Sequence, residues 1–225
     1  MKLHKVALSA VAAFALAAAG TSAMAGGRGS LKDDDKRPFS WTGFYIGGHI
    51  GVLKGDTATV ACPGGICVNE DPEGVVAGVQ IGYQHQFQHL VVGVEGDYSA
   101  SDASGERDCT NTTFRCRTEV ENQASVRGRI GLAFDKVLVY GTGGWAWADV
   151  SGSTVIKATG QTFADKTNRG GAIFGGGIDV AVSNHIIVGF EYLHADFDTK
   201  NHQYDIVYPV KMETDTYRAR VNFKF

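Results

Sequence analysis

The chain has 225 residues, of which 44% are hydrophobic, with 30 glycines, four prolines and a formal net charge of -3. This length and composition suit one large β domain and show no bias toward disorder. The 21 lysines and arginines are interspersed with 24 aspartates and glutamates rather than clustered, so the sequence does not predict nucleic acid as a partner.

The N-terminal segment has the three parts of a secretory signal peptide. Lys2 and Lys5 form a positive region, residues 6–19 are predominantly apolar, and a small-residue cleavage site ends at Ala25, after which we expect cleavage. The apolar run is too short for a membrane-spanning helix, which needs about 20 residues. Because no comparable run follows, any membrane insertion would have to use strands.

Residues 26–40 contain almost no apolar side chains, so we expect a solvated, flexible leader before the folded domain at 41–225. The charged stretch at 32–37 could instead dock to the cell wall. This alternative is less favoured, because charge runs are usually only solvated.

From residue 42 onward, lipophilic positions alternate with polar or glycine positions, which is the period of a β-strand. Long and short connections alternate between the segments. The long ones are polar, at 55–73, 101–117, 151–168 and 198–210, and the short ones are turns near Gln88, Asp135 and Asn184. The predicted strands are 42–54, 74–87, 89–100, 118–134, 137–150, 169–182, 185–197 and 211–225.

The last segment shows the alternation most clearly. One face carries only lipophilic residues and the other is cationic or polar: Tyr217, Ala219, Val221, Phe223 and Phe225 against Arg218, Arg220, Asn222 and Lys224. A transmembrane barrel accommodates both faces, since its outer surface meets hydrocarbon and its lumen is polar. The sequence therefore predicts an all-β fold, an eight-stranded antiparallel up-and-down transmembrane β-barrel with short turns at one end and long external loops at the other.

A soluble lipocalin-like barrel has the same number and order of strands. It would bury its apolar face and expose its charges, so its strands would alternate in the same way. Charged residues in the middle of strands, on the face that carries many glycines, favour the membrane barrel, as does a chain that ends within a strand at Phe225.

Nine charged residues are predicted to face the lumen and to pair there, because arginine matches carboxylates bidentately and an eight-stranded interior is only just wide enough for side chains. On the fifth strand, this assignment puts Trp145 and Trp147 on the lumen side and Leu138 and Tyr140 outside. The predicted polar plug would hold the barrel together, and a narrow ion pathway is the alternative. The nine residues are Glu95, Asp97, Arg127, Arg129, Asp149, Asp179, Glu191, Arg218 and Arg220.

Aromatic residues near the strand ends are candidates for the two interfacial girdles of a membrane barrel. Ordinary β-propensity explains the same residues. They are Phe44, Tyr83, Tyr98, Phe134, Phe174, Tyr192, Phe223 and Phe225.

The four cysteines, Cys62, Cys67, Cys109 and Cys116, all lie in the exported part of the chain, where disulfides are the default expectation. Three connectivities exist, and the short spacings favour the local pairs 62–67 and 109–116. A zinc site is the less favoured alternative, since neither spacing is a usual ligand pattern.

No cofactor or metal is predicted. His85 and His89 straddle a short turn and His202 lies in a polar connection, so solvated side chains are the simplest interpretation. The glycine groups at 143–144 and 175–177 lack the following helix and lysine of a phosphate-binding loop. No Ser, His and Asp triad can be assigned, and we expect no enzymatic activity.

The opening motif Trp41-Thr-Gly-Phe-Tyr-Ile-Gly-Gly48, the signal peptide, the strands that carry Glu95 and Glu191, and the closing segment 217–225 resemble those of the small outer-membrane β-barrel surface proteins of alphaproteobacteria. These are similar in architecture to the transmembrane domain of OmpA. The resemblance covers nearly all of the mature chain. The chain departs from the family in its two cysteine pairs, so functions carried by the loops do not transfer.

The resemblance implies a Gram-negative outer-membrane location, contact with outer-membrane lipids, and recognition of the terminal Phe225 by the barrel-assembly machinery. The expected function is to contribute to envelope integrity and to present surface loops. A narrow porin for small solutes or ions, and a surface receptor or adhesin whose external ligand is unknown, are the alternatives.

Overall fold

The computed structural model describes residues 39–59, 71–108, 114–159, 162–203 and 207–225. They form a closed barrel in which each strand pairs with its neighbours in the chain and β1 pairs with β8, every pair being antiparallel. The predicted fold class is therefore confirmed. The strands are β1 Gly43–Thr59, β2 Glu73–Phe87, β3 Leu90–Asp108, β4 Phe114–Phe134, β5 Val137–Ile156, β6 Thr162–Ala181, β7 Ile186–Gln203 and β8 Val207–Lys224.

Several predictions fall outside the described residues. They are the signal peptide with its cleavage after Ala25, the leader up to residue 38, and Cys62, Cys67 and Cys109. Among the residues that are described, no helix has the length and apolar character needed to cross a membrane.

The strands continue further toward the loop end than the sequence indicated, so the four predicted long connections were wrong in part. The β1–β8 ladder reaches the pair Thr59↔Val210 and the β3–β4 ladder reaches Asp108↔Arg115. β4 has 21 residues and β5 has 20, whereas about 9–11 residues span a bilayer. Outside hydrocarbon a strand needs no lipophilic outer face, so the alternation that marks the membrane part is lost there.

The turns near Gln88 and Asp135 are confirmed as two-residue hairpin connections. Gln88 has φ 56° and Asp135 has φ 52°, which are unusual values for residues other than glycine. A positive φ is what lets two residues reverse the chain between twisted strands. The third short connection lies between β6 and β7, around Asn184.

The outer face is apolar, as predicted. Exposed aliphatic side chains such as Ile81, Val94 and Ile130 cover it, each at least 58% exposed. Exposed aromatic residues lie near the turn end, at Phe44, Tyr83, Phe134, Phe223 and Phe225, and further toward the loop end, at Tyr98, Trp145, Trp147, Phe174 and Tyr217. Two aromatic levels bounding an aliphatic band are the arrangement of a barrel in a bilayer.

The predicted faces of β5 are reversed in the structure. Leu138 and Tyr140 are 1% and 5% exposed and face the lumen, whereas Trp145 and Trp147 are each 42% exposed on the outside. The predicted faces had been assigned from the lipophilicity of the side chains alone, without regard to their polar groups. The Tyr140 hydroxyl instead donates a hydrogen bond to a buried carboxylate, and tryptophan suits the membrane interface because its ring is amphipathic.

The turn end of the lumen is filled by a group of side chains that we call the turn-end apolar cluster: Phe39, Trp41, Val91, Ala133, Leu138, Tyr140, Ala181 and Ile187. Trp41 is fully buried, its Nε1 donates to the Asp135 carbonyl oxygen at 3.0 Å, and its ring lies 5.0 Å from that of Phe39. Phe39, within the predicted leader, is 7% exposed, so the end of the leader packs into the barrel.

Replacing Trp41 by Phe is expected to lower the free energy of unfolding by about 1–2 kcal/mol, because the Asp135 carbonyl oxygen loses its indole donor and the smaller ring leaves part of the buried Trp41 site unfilled. Equilibrium urea unfolding in detergent micelles or lipid vesicles measures this. Trp145→Phe is the matched control: the same change on the exposed outer face should shift stability by less than about 0.5 kcal/mol. Equal effects of the two substitutions would show that Trp41 does not seal the turn end.

Candidate functional site

The centre of the lumen holds a buried group of four acids and four arginines, which we call the charge cluster. β3, β4, β6, β7 and β8 contribute to it, and its side chains are at most 6% exposed. The members are Glu95, Asp97, Arg127, Arg129, Asp179, Glu191, Arg218 and Arg220. The four formal negative and four positive charges balance.

Glu95 is the most connected acid of the charge cluster. Its Oε1 lies 2.6 Å from Arg127 Nη2, and its Oε2 lies 3.3 Å from Arg129 Nη1. Oε2 also pairs closely with Arg220 and accepts a hydrogen bond from the Tyr45 hydroxyl at 2.7 Å. Charge-assisted bonds from several directions leave this carboxylate well compensated despite its burial.

Glu191 has a similar environment on the opposite wall. Its Oε2 lies 2.6 Å from Arg218 Nη2, while its Oε1 lies 3.2 Å from Arg127 Nη1 and 3.1 Å from Arg220 Nη1. The Tyr140 hydroxyl donates to the same Oε1 at 2.9 Å. Arg127 and Arg220 thus each contact both glutamates, and they join strands that are not neighbours in the barrel.

Two aspartates complete the charge cluster. Asp179 Oδ2 lies 2.6 Å from Arg129 Nη2, and the Arg129 guanidinium stacks 3.8 Å from the centre of the Tyr140 ring. Asp97 pairs with Arg127 at 2.8 Å and with Arg218 at 3.2 Å. Stacking on an aromatic face and bidentate pairing are both properties of arginine that lysine lacks.

Strand register explains why these residues meet. Glu95 stands directly opposite Arg127 in the β3–β4 ladder, and Glu191 stands opposite Arg218 in the β7–β8 ladder. Between Asp179 and Arg220 lies Gly189, where a Cβ would overlap the Asp179 carboxylate. Alternation places a residue on the lumen face, but register decides which of its neighbours it meets.

Neutral polar side chains extend the charge cluster toward β1 and β2. His49 Nδ1 lies 2.6 Å from Gln80 Oε1, and His49 Nε2 lies 2.8 Å from Ser99 Oγ. Gln80 Nε2 donates to Asn222 Oδ1 at 2.7 Å. Neither His49 nor Gln80 was among the predicted lumen residues, because these had been selected by charge alone.

The predicted position of Asp149 was wrong. It was predicted in the lumen charge group, but it lies on the outer side of β5 and accepts a hydrogen bond from Asn168 Nδ2 at 2.9 Å. The reversed faces of β5 account for this, since Ala148 and Val150 on either side of it are buried in the lumen. Sequence alternation fixes only that Asp149 and Trp147 share a face, not which face it is.

The remaining predicted site residues lie apart from the charge cluster. Cys116 is in β4, opposite Arg107 of β3 and Thr154 of β5, so it belongs to a strand rather than a loop, and its disulfide stays a prediction. His89 Nδ1 lies 3.3 Å from the Ala133 carbonyl oxygen at the turn end. The described residues contain no group of three or more His, Cys, Asp or Glu arranged to hold a metal ion.

A second apolar group, the loop-end apolar cluster, fills the lumen on the other side of the charge cluster. It consists of Leu53, Val76, Ala103, Val120, Ala146, Ala148, Val150, Ile173, Leu193, Ala195, Phe197 and Met212. Between it and Arg218 lies a cavity of about 10 Å³, close to the least space that admits one water molecule. The lumen is thus filled in three layers, with the charges in the middle one.

Comparison with known proteins gives a consistent result. The model of the family described as "Outer membrane protein beta-barrel domain" matches residues 7–225. The 31 kDa outer-membrane immunogenic protein of Brucella melitensis is 31% identical over 208 residues, covering 83% of this chain and 85% of that protein. The 22 kDa outer membrane protein of Rhizobium leguminosarum is 31% identical over 172 residues, covering 74% and 69%.

Among solved structures, the outer membrane protein OprG from Pseudomonas aeruginosa is similar with a TM-score of 0.51. The match covers 84% of this chain and 98% of that one, at 13% sequence identity. At this level of identity the likeness concerns the fold alone.

Proposed function

The chain belongs to the outer membrane protein β-barrel domain family, and from this premise we propose that it is a closed structural barrel that supports envelope integrity and carries surface loops outward. Its relatives and its fold identify it as an integral outer-membrane protein of a Gram-negative bacterium, similar to the small barrel proteins of alphaproteobacteria. Its apolar outer face accordingly meets lipid. We assign it no enzymatic activity.

The filled lumen is the observation that carries this proposal. Ion pairs connect the walls at mid-height, such as those of Arg127 with Glu95 at 2.6 Å and with Glu191 at 3.2 Å. An ion crossing the lumen would have to separate these buried pairs and then pass two apolar layers, and an uncompensated buried charge costs about 3–5 kcal/mol. This argues against the narrow porin, the main alternative.

The strand lengths support the display of loops. At 18 to 21 residues, β3 to β8 have close to twice the length that a bilayer requires, so the barrel wall would carry its connections well beyond the lipid surface. The loop-end apolar cluster provides a core for this extension. The similar Brucella protein is named an outer-membrane immunogenic protein, and this name supports the proposal that the present chain displays loops at the surface.

Assembly depends, in this proposal, on the terminal aromatic residue. Phe225 is 69% exposed on the outer face, and its backbone N–H donates to the Phe44 carbonyl oxygen at 2.9 Å, where the first strand meets the last. Its side chain would be accessible to the barrel-assembly machinery, the role that the family resemblance implies.

Conductance tests the closed lumen. Purified wild-type protein inserted into a planar bilayer is expected to add no stable conductance steps, and Trp41→Ala is expected to behave in the same way, because the charge cluster and the loop-end apolar cluster still fill the lumen. Insertion is verified by the change of gel mobility on heating. Reproducible steps from the heat-modifiable wild-type protein would support the porin and overturn the closed barrel.

Complementation separates the structural function from the receptor. In a strain lacking the gene, sensitivity to detergent and to large antibiotics should rise, and the full chain should restore resistance. A variant with residues 61–69 replaced by a short Gly-Ser linker should restore it equally, because the barrel wall is intact. If that variant assembles but fails to restore resistance, the function lies in the loop and the receptor is favoured.

A further inference from the structure

The ladder between β6 and β7 stops well before the loop end of these strands. Its last pair is Gly171↔Phe197, although β6 begins at Thr162 and β7 continues to Gln203. On their other sides the two strands stay paired, β6 with β5 as far as Thr162 and β7 with β8 as far as Gln203. We call this opening the β6–β7 seam, with segments 162–167 and 198–203 as its two edges.

A comparable opening beside β2 is bridged by the chain itself. β2 begins only at Glu73, but Gly55 N of β1 donates to the Pro72 carbonyl oxygen at 2.8 Å. On the other side, a Cβ at Gly105 of β3 would come within 3.1 Å of the Pro72 backbone nitrogen. In the described part of the chain, no residue of segment 162–167 is paired in the β6–β7 ladder with a residue of segment 198–203.

We propose that the β6–β7 seam is an interface for a second copy of this chain, in which segment 162–167 of each copy pairs with segment 198–203 of the other. The unpaired edge of a sheet offers a row of backbone donors and acceptors and recruits a further strand. The seam has two such edges, and an identical seam on a second copy can supply a hydrogen-bonding strand to each of them at the same time.

The membrane fixes how two copies can meet. All copies insert in one orientation, so a two-fold axis between them must lie along the membrane normal. β6 runs toward the turn end and β7 runs away from it. When two seams face each other across this axis, β6 of each copy therefore lies antiparallel to β7 of the other. Both ladders form at once, and the contact closes as a dimer rather than growing into a filament.

The formal charges of the two edges are complementary in one register. The edges read Thr-Phe-Ala-Asp-Lys-Thr at 162–167 and Asp-Thr-Lys-Asn-His-Gln at 198–203. In the antiparallel alignment that puts Lys166 opposite Asp198, Ala164 lies opposite Lys200. No two residues of like charge then lie directly opposite each other. Opposite charges across a strand pair favour pairing, and like charges oppose it. The two-fold axis repeats the Lys166 and Asp198 pair in the second ladder.

A charge swap tests the interface. The mature full-length protein is placed in detergent micelles, and its mass is followed by analytical ultracentrifugation over a dilution series. We expect the wild-type protein to form a dimer. Lys166→Asp should raise the dissociation constant of the dimer at least tenfold, and adding Asp198→Lys to the same chain should restore the wild-type dissociation constant. Lys136→Asp, the same charge change at the turn end, should leave the dimer unchanged.

Two results would overturn the proposal: a wild-type protein that is monomeric at every concentration, or a dimer that Lys166→Asp does not weaken. If Lys166→Asp fails to fold, Thr199→Pro replaces it. Thr199 lies at the bulge of β7 between Phe197 and Lys200, so proline costs no pairing with β8 and should weaken the dimer equally.

Photo-crosslinking in cells identifies the occupant of the seam. A photoreactive amino acid at position 164 should link to residues 198–203 of a differently tagged second copy. Cross-links from this position to another protein, with none to a second copy, would overturn the assignment and show that the seam takes an extended segment of a different partner.

Discussion

Replacing Glu95 by Gln is expected to lower the free energy of unfolding by about 3–5 kcal/mol. The substitution keeps the shape of the side chain but removes the negative charge that Arg127, Arg129 and Arg220 share. The four buried guanidinium groups of the charge cluster then face three remaining acids. The one uncompensated buried charge accounts for the size of the loss. Urea unfolding of the reconstituted barrel, followed by tryptophan fluorescence, measures it.

The exposed ion pair between Lys54 and Glu73 provides the matched control. Its atoms are 3.3 Å apart, but the two side chains are 60% and 64% exposed, so solvent screens the interaction. Glu73→Gln should therefore change stability by less than about 1 kcal/mol. If Glu95→Gln is no more harmful than Glu73→Gln, the charge cluster does not hold the barrel together, and the structural function proposed for it fails.

Replacing Gly144 by Ala is expected to destabilise the barrel by about 3 kcal/mol, at the upper end of the usual range for overpacking. Gly144 is directly opposite Arg127 in the β4–β5 ladder. A Cβ there would overlap the Val126 carbonyl oxygen and lie 2.7 Å from the Arg127 Cα, and backbone cannot move aside as a flexible side chain can. The fraction of heat-modifiable protein in outer-membrane extracts and urea unfolding both measure the effect.

The neighbouring Gly143 is the control for this prediction. A Cβ on Gly143 would meet only the Ile173 carbonyl oxygen, at 3.8 Å, so the position has room. Gly143→Ala should leave the barrel intact or stabilise it by about 0.4–1 kcal/mol, because alanine restricts the unfolded chain. The opposite order of effects would mean that the faces of β5 are those indicated by lipophilicity and not those of the structure.

The number of strands, their order and the outward side of most of them follow from the sequence. Phe44, Ile81, Val94, Ile130 and Val221 alternate with polar or small residues, a pattern that suits lipid on one side and a polar lumen on the other. The short turns at Gln88 and Asp135 were equally visible, since each interrupts two adjoining periodic segments.

β5 shows where the pattern fails. Its Tyr140 and Trp145 differ in parity, and both are amphipathic aromatics, so hydrophobicity does not say which faces lipid. The decision rests on contacts with other strands: the hydroxyl of Tyr140 meets Glu191 of β7, and this partner is 51 residues away in the chain. Asp149 was misplaced for the same reason.

The sequence by itself determined a chain of amphipathic strands with charges on the inner face, because period-two alternation is a local property. Tertiary structure alone decided which charges pair, since Arg127 and Arg220 reach both Glu95 and Glu191 through strand register and closure of the barrel. It also decided that the lumen is filled on both sides of the charges and that the β6–β7 ladder ends early. Register and closure join residues far apart in the chain, and no local pattern encodes them.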